Sequence, residues 1–274
     1  MFVAALLCQV ILATAAFAVP TANERLAHRI ASRAAGLTHQ SLPLQPVEFS
    51  ENTVVSEVNG STTPRAPLNN WAGAVLSEKT ATYKQVTGTF VVPTPKEPSG
   101  ASGAHYTSAW VGIDGASCHT TILQTGLDFI VNGSNVGYLA WYEWYPAPVS
   151  YFEDITFNAG DTVTLTVVAT SKTSGTASMK NHRTGKRVSH SFSGQPALCQ
   201  HDAEWIAEDF SLNGSPAPFA NFGKVAFTDA TAHTLAGKTV GPANAKRWDI
   251  VKNQKLITKV ATGAKSVTVT YTGK

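Results

Sequence analysis

From Asn70 onward the chain alternates short apolar runs with turn residues, which is the pattern of β-strands joined by loops. The clearest runs are β-branched or alternate apolar with polar positions, and they are 71–76, 85–92, 109–113, 140–145, 162–168 and 266–271. No long helical pattern interrupts them, which disfavours a fold of alternating strands and helices. The pattern predicts an all-β fold, a two-sheet antiparallel β-sandwich of the lectin-like jelly-roll kind.

Side chains along a strand point alternately to its two faces. One parity gathers carboxyl groups, an amide and indoles, at Trp110, Asp114, Ile122, Gln124, Trp141, Glu143, Glu204, Ile206 and Glu208. The opposite parity is largely apolar, with Val111, Ile113, Leu123, Tyr142, Trp144, Trp205 and Ala207. A sheet face of the first composition predicts a groove for an extended polymer. For each of Glu143, Glu204 and Glu208 taken singly, an outward polar position of a sandwich is the better interpretation.

The amino-acid composition gives no sign of a nucleic-acid partner. Of 274 residues, 14% are charged and 43% hydrophobic, and the formal net charge is only +3. No cluster of Lys and Arg is interleaved with aromatic residues, so nucleic acid is not an expected partner. Four lysines near the C-terminus, Lys252, Lys255, Lys259 and Lys265, are interpreted as a solvated face or a protected edge strand.

The N-terminal part differs from the rest. Residues 1–18 are apolar and end in Ala-Phe-Ala, which predicts a signal peptide, a secreted protein and no membrane contact after its removal. Residues 19–66 contain one amphipathic helical pattern and then a polar, proline-containing stretch, which we interpret as a partly helical propeptide and linker. The alternative is a helical subdomain kept in the mature protein. The β-sandwich domain is then expected over 67–274.

The number and positions of the cysteines agree with a secreted protein. Cys8 leaves with the signal peptide, so Cys118 and Cys199 remain as an even pair and are predicted to form one disulfide. His119 and His201 lie near these cysteines and keep a zinc site open as an alternative, although the spacing is unlike that of tetrahedral sites. We expect no metal and no cofactor.

Two apolar runs each contain one polar side chain, and the two side chains have complementary chemistry. Gln124 supplies an amide and Glu208 a carboxylate, and together such groups can hold and activate a water molecule. The signatures of zinc peptidases, of serine hydrolases with a nucleophile elbow and of aspartic peptidases are absent from the sequence. Hydrolysis by a Gln/Glu pair is one hypothesis that these absences leave open.

Five segments, 70–75, 109–115, 122–129, 141–146 and 203–210, resemble the glutamic peptidases, the eqolisin family of acid endopeptidases. The resemblance implies a secreted zymogen with a sandwich of two curved antiparallel sheets and a catalytic dyad of Gln124 and Glu208. It also implies a disulfide between Cys118 and Cys199. The supporting or substrate-binding residues that it implies are Trp110, Asp114, Asp128, Trp141 and Glu143.

This resemblance makes protein or peptide substrates the expected partners, with the propeptide as an inhibitor and a monomer as the working form. We expect the propeptide to occupy the groove near neutral pH and to leave when carboxylates are protonated. Leu139 stands where the family pattern leads us to expect an acidic residue. Two alternatives stay open: a lectin-like glycoside hydrolase that uses Glu143 and Glu208, and a carbohydrate-binding module that uses the tryptophans.

Overall fold

The computed structural model describes residues 39–45, 66–68, 70–252 and 255–273. The expected signal peptide, the helical pattern of the propeptide and most of the linker lie outside the described residues. Within the described residues no helix has the length and apolar character that a membrane span needs.

The described residues form strands joined by loops and one 3-10 turn, Pro242–Asn244. The first ten strands are β1 (His39–Gln40), β2 (Ala66–Leu68), β3 (Trp71–Ser77), β4 (Tyr83–Val91), β5 (His105–Ile113), β6 (Ile122–Asn132), β7 (Asn135–Tyr145), β8 (Ser150–Tyr151), β9 (Thr162–Ala169) and β10 (Gly175–Asn181). The other ten are β11 (Arg187–Phe192), β12 (Asp202–Glu208), β13 (Ser211–Leu212), β14 (Ser215–Pro216), β15 (Lys224–Thr234), β16 (Thr239–Val240), β17 (Lys246–Lys252), β18 (Lys255–Leu256), β19 (Thr258–Gly263) and β20 (Ser266–Tyr271).

Two large sheets dominate the fold. The nine-stranded sheet has the order β18-β17-β3-β12-β5-β6-β7-β8, with β2 added parallel to β17. The eight-stranded sheet has the order β11-β10-β9-β4-β15-β20-β19, with β16 beside β15. A small third sheet joins β1, β13 and β14. Apart from the β2–β17 pair, neighbouring strands in these sheets are antiparallel, so the predicted antiparallel sandwich is confirmed.

The eight-stranded sheet shows the alternation of a strand with one buried face. In β9 the side chains of Val163, Leu165 and Val167 are fully buried, while the threonines between them are partly exposed. Two of these threonines pair with threonines of β4, with hydroxyl oxygens 2.7 and 3.0 Å apart. Burial of one apolar face and hydroxyl pairing on the other stabilise this sheet.

The nine-stranded sheet is buried on both faces in its centre. Every residue of β12 is buried. Trp205, on one face, belongs to the main core between the two sheets, whereas Ile206, on the other face, packs in a second apolar cluster with Trp71 and Trp110. The sorting of side chains that the period of two predicts is therefore confirmed, and the second face is covered rather than solvated.

A disulfide between Cys118 and Cys199 ties the connection after β5 to the segment before β12, as predicted. The carboxyl group of Asp202 accepts backbone N–H groups of residues 116–118. The carboxyl group of Asp114 accepts backbone N–H groups of residues 200–202. The two sulfur atoms are bonded to each other, so they are not available as the thiolate ligands of the zinc alternative.

The disulfide closes a separation of 81 residues. The chain-entropy model predicts that such a link stabilises the fold by about 4 to 5 kcal/mol. We therefore expect the double substitution of Cys118 and Cys199 to alanine to lower the denaturant midpoint of unfolding. The control is reductant, which should lower the midpoint of the parent protein and leave the double variant unchanged; a parent protein insensitive to reduction would contradict the prediction.

Candidate active site

The candidate catalytic residues lie on the second face of the nine-stranded sheet, in two rows that cross it. In one row Glu208 of β12 is opposite Trp71 of β3 and Ser108 of β5, and Ser108 is opposite Asp128 of β6. In the other row Gln124 of β6 is opposite Glu143 of β7. The rows are four positions apart along β6, which corresponds to about 13 Å in an extended strand.

Gln124 and Glu208 have different hydrogen-bond partners. Nε2 of Gln124 donates to Oε2 of Glu143 at 2.5 Å, and Oε1 of Gln124 has no hydrogen-bond partner among the described residues. Glu208 instead accepts from Trp110, whose Nε1 lies 2.9 Å from its Oε2. Glu143 and Glu208 are near enough for the charge of Glu208 to raise the pKa of Glu143. The structure thus pairs Gln124 with Glu143 and Glu208 with Trp110, and the described residues show no direct bond between Gln124 and Glu208.

The indole of Trp110 links the two rows. A Cβ atom on Gly112, which is opposite Gln124, would lie 2.8 Å from the Trp110 ring and 3.3 Å from Cβ of Gln124. A Cβ atom on Gly126 would lie 2.5 Å from the ring of Trp141. The two glycines therefore leave the space that the two indoles occupy, and a larger residue at either position would displace an aromatic wall of the site.

A stretch of the expected propeptide, residues 39–45, lies across this face, and we call it the covering segment. The hydroxyl group of Ser41 donates to Oε2 of Glu208, and the backbone N–H of Leu42 donates to Oε1 at 3.1 Å. Leu44 is buried in the second apolar cluster. Both oxygens of the candidate catalytic carboxyl group are therefore in contact with a peptide chain.

His39, at the start of the covering segment, lies in an aromatic and acidic recess. Its ring packs against Phe210 at a tilt of 31°, with centroids 3.8 Å apart, and lies edge-on to Trp141 at 5.5 Å. Its Nδ1 is 3.0 Å from Oδ2 of Asp128, and both side chains are buried. Strand β1 also pairs with β13, so this end of the segment is held by backbone and side-chain contacts together.

Burial is the main influence on the carboxyl groups of the site. It raises the pKa of Glu208 to about 8, although the hydrogen bonds from Ser41, Leu42 and Trp110 act in the opposite direction. Burial, followed by the charge of Glu208, raises the pKa of Glu143 well above its ordinary value, and the bond from Gln124 opposes this. Desolvation disfavours the charged form, so these two carboxyl groups are neutral over a wider pH range than in water.

The other predicted residues have distinct surroundings. Nε1 of Trp141 donates to the hydroxyl group of Ser108 at 3.0 Å, within the row of Glu208. Asp114 holds the backbone before β12 and makes its hydrogen bonds there rather than at Glu208 or Gln124. Leu139 is directly opposite Asp128, so the position where an acid was expected adjoins the recess of His39.

One interpretation needs correction. Lys252 is not merely solvated, because its Nζ lies 2.6 Å from Oδ2 of the buried Asp209, the residue after Glu208. Lys255, Lys259 and Lys265 are exposed, and Lys259 lies on the edge strand β19 as expected. The sequence could not identify the Lys252–Asp209 pair, because 43 positions separate the two residues and no pattern links them.

Sequence reasoning also missed three residues of the site. Ser41 contacts Glu208, Phe210 packs against the ring of His39, and Asn70 binds the backbone of the covering segment. Phe210 and Asn70 lie inside the segments that carried the family resemblance, so a signal was present for them. Ser41 lies in a stretch without periodicity, and nothing in the sequence separates it from its neighbours.

Comparison with known proteins adds independent findings. A sequence profile of the Peptidase A4 family matches residues 69–271. Aspergillopepsin-2 of Aspergillus niger is 44% identical over 277 residues, which cover 94% of this chain and 95% of that protein. Scytalidopepsin B of Scytalidium lignicola is 38% identical over 279 residues, which cover 98% of each chain.

Solved structures agree with these matches. The crystal structure of scytalido-glutamic peptidase with a transition state analog inhibitor has a TM-score of 0.68 and 37% identity, and the match covers 74% of this chain and 98% of that one. The crystal structure of aspergilloglutamic peptidase from Aspergillus niger has a TM-score of 0.59 and 49% identity, over 61% of this chain and 99% of that one.

Glu204 is a further buried acid on this face, and its expected effect is on the stability of the fold. Glu204 is fully buried, and neither of its carboxyl oxygens has a hydrogen-bond partner among the described residues. Burial, followed by the charges of Asp202 and Asp114, raises its pKa well above the ordinary value of 4.5. The folded-state pKa thus exceeds the unfolded one, so this group leaves stability intact below pH 4.5 and lowers it as pH rises toward the folded-state pKa.

We expect the free energy of unfolding to fall as pH rises above about 4.5, and to fall less steeply in a Glu204→Gln variant. Removing one such acid should reduce the slope by about 1.4 kcal/mol per pH unit, because one proton fewer is released on unfolding. Urea unfolding at a series of pH values measures both slopes. Parallel curves for the two proteins would show that Glu204 does not titrate in this way.

Proposed function

Because the chain belongs to the peptidase A4 family of glutamic peptidases, as its motifs predicted, we propose that it is a secreted acid endopeptidase made as a zymogen. In this proposal Gln124 and Glu208 form the catalytic dyad and activate a water molecule. The observation that carries the proposal is the position of Glu208, whose two carboxyl oxygens contact the hydroxyl and backbone N–H groups of a bound peptide segment. A carboxyl group that meets a peptide chain in a groove is placed to act on peptide bonds.

Glu208 acts as the general base once the covering segment has left. Its carboxylate takes a proton from a water molecule, and the water oxygen forms a bond to the carbonyl carbon of the substrate. The resulting carboxylic acid then gives this proton to the amide nitrogen as the carbon–nitrogen bond breaks. The departing amine and the new carboxyl group leave, and Glu208 is ionised again.

Gln124 stabilises the charge that develops on the carbonyl oxygen. One N–H of its amide is held by Glu143, which fixes the orientation of the group, and the second N–H can donate to the oxyanion. Its Oε1, which has no partner among the described residues, can accept from the attacking water. An amide does not ionise, so Glu208 is the one titrating member of the dyad.

The covering segment serves as the inhibitory part of the propeptide. It occupies both oxygens of Glu208, so no water can be activated there while it is bound. His39 anchors it through Phe210 and Asp128. The contact between Nδ1 of His39 and Oδ2 of Asp128 holds the start of the segment in the recess.

Burial also keeps the covered enzyme inactive. With the segment in place the pKa of Glu208 is about 8, so in acid its carboxyl group is protonated and cannot accept a proton. Because burial is the largest cause of this shift, exposure to water after release of the segment would lower the pKa. The base would then be partly ionised at acid pH, where a histidine would be fully protonated.

The domain boundaries follow from this proposal. Residues 1–18 are the signal peptide, 19–66 the propeptide and linker, and 67–274 the catalytic domain. The substrates are proteins or peptides, and the mature enzyme is a monomer. Two relatives with the same architecture support a peptide substrate, because one was solved with a transition state analog inhibitor and another is named a peptidase.

Substitution of the dyad tests the proposal. After acid activation, Glu208→Gln is expected to lower kcat for a denatured protein by at least about 100-fold, because the general base is lost. Gln124→Ala is expected to lower kcat by about 100- to 1000-fold, because an oxyanion donor is lost. Cleavage is measured in the presence of pepstatin, which should not inhibit.

The matched control is Glu204→Gln, which neutralises a buried glutamate on the same strand and face but away from the covering segment. It should retain near-parental activity at acid pH, where Glu204 is already protonated. Undiminished cleavage by Glu208→Gln would refute the assigned base. Release of sugars from polysaccharide without peptide cleavage would favour the glycosidase alternative instead.

The inhibitory anchor gives a second prediction. In the full chain, His39→Ala should shorten the lag before peptide cleavage after a shift to acid by about 10-fold or more, because it removes the partner of a buried carboxylate. Gln40→Ala is the control, since this neighbour is only partly buried. All three proteins should reach the same final activity, and an unchanged lag in His39→Ala would exclude the anchor.

A further inference from the structure

Asn70 binds the main chain of the covering segment at three points. Its Nδ2 donates to the carbonyl oxygens of Leu42 and Pro43, both at 3.2 Å, and its Oδ1 accepts the backbone N–H of Gln45 at 3.1 Å. Nε1 of Trp71 also donates to the carbonyl oxygen of Leu42, at 3.0 Å. None of these contacts involves a side chain of the segment.

The position of Asn70 is fixed relative to Glu208. Its carbonyl oxygen accepts the backbone N–H of Asp209 at 2.8 Å, and the following residue, Trp71, is opposite Glu208 in the β3–β12 pair. Leu42 joins the two sites, because its N–H meets Glu208 and its carbonyl oxygen meets Asn70. The contact on the main chain therefore begins one residue from the contact on the catalytic carboxyl group.

We propose that Asn70 is a substrate-positioning residue that binds the main chain of a peptide substrate beside the catalytic centre, and that the covering segment uses the same contacts. The inference rests on the proposed peptidase function and adds a binding residue to it. An asparagine amide has both the donors and the acceptor that a peptide backbone requires. Because every peptide presents the same groups, this binding is independent of substrate sequence.

The side chain is buried but has no competing role in the fold. Asn70 is only 6% exposed, and the hydrogen bonds of its side chain within the described residues all end on the covering segment. A backbone bond, not the side chain, attaches it to β12. Substitution of the side chain should consequently leave folding and the dyad intact.

Kinetics of the acid-activated full chain test the substrate contact. Asn70→Ala should raise KM by about 10- to 100-fold for peptides of unrelated sequence, because up to three neutral hydrogen bonds are lost. The effect on kcat should be small, since these bonds are present before the chemical step. Asn70→Asp, which keeps the acceptor, should have an intermediate KM.

Modified peptides make the test specific. In a series where each N–H in turn is replaced by an ester oxygen, one position should weaken binding to the parent enzyme and not to Asn70→Ala. Equal losses in both enzymes, or a KM effect limited to certain side chains, would overturn the proposal. Unchanged KM in Asn70→Ala would do so as well.

A second measurement does not require catalysis. In full chains that carry Glu208→Gln, Asn70→Ala should increase backbone amide exchange of the covering segment by about 10-fold or more, and unchanged exchange would overturn the proposal. Faster exchange with unchanged KM would overturn the role in substrate binding and leave only an anchor for the segment. Absence of peptide cleavage by the parent enzyme, together with faster exchange, would refute the proposed function while the main-chain contact itself stands.

Discussion

The burial of carboxyl groups on the second face of the nine-stranded sheet is the constraint on which the rest of the structure depends. Glu143, Glu204 and Glu208 lie among tryptophans and aliphatic side chains, where the charged form is strongly disfavoured. Such groups favour the fold in acid and oppose it as the pH rises. The same burial determines the chemistry of the site, because the pKa of a buried carboxyl group changes strongly when the group is covered or exposed to water.

Glycines and indoles on this face connect side chains that the strand register alone keeps apart. Register alone leaves Gln124 and Glu208 in rows four positions apart. Trp110 spans this interval, because its ring lies over Gly112 beside Gln124 while its N–H reaches Glu208. In the proposed mechanism, cooperation between the amide and the carboxyl group would depend on this aromatic residue, which takes no part in bond making.

The sandwich and its two faces could be predicted from the sequence, because side chains along a strand alternate between its faces with a period of two residues. The structure agrees, since Trp205 and Ile206 lie in different apolar clusters on opposite faces. The cysteine pairing was predicted because only Cys118 and Cys199 remain once Cys8 is assigned to the signal peptide. The contact between Ser41 and Glu208 could not be predicted, since it joins a stretch without periodicity to a strand 167 positions away. The Gln124–Glu143 hydrogen bond could have been predicted only from the pairing register of β6 and β7. The sequence alone does not determine that register.

If the covering segment is the inhibitor and Asn70 binds substrate, as we propose, the main-chain contacts of Asn70 cannot distinguish the inhibitor from the substrate. Weakening Asn70 to release the covering segment would weaken substrate binding equally. The segment must therefore gain its advantage from features that an ordinary substrate lacks: the recess of His39, the burial of Leu44 and its covalent attachment to the domain. Covalent attachment makes binding of the segment intramolecular, which raises its effective concentration at the site. Cutting the chain between residues 45 and 66 would remove the covalent attachment and keep the residues of the covering segment themselves intact.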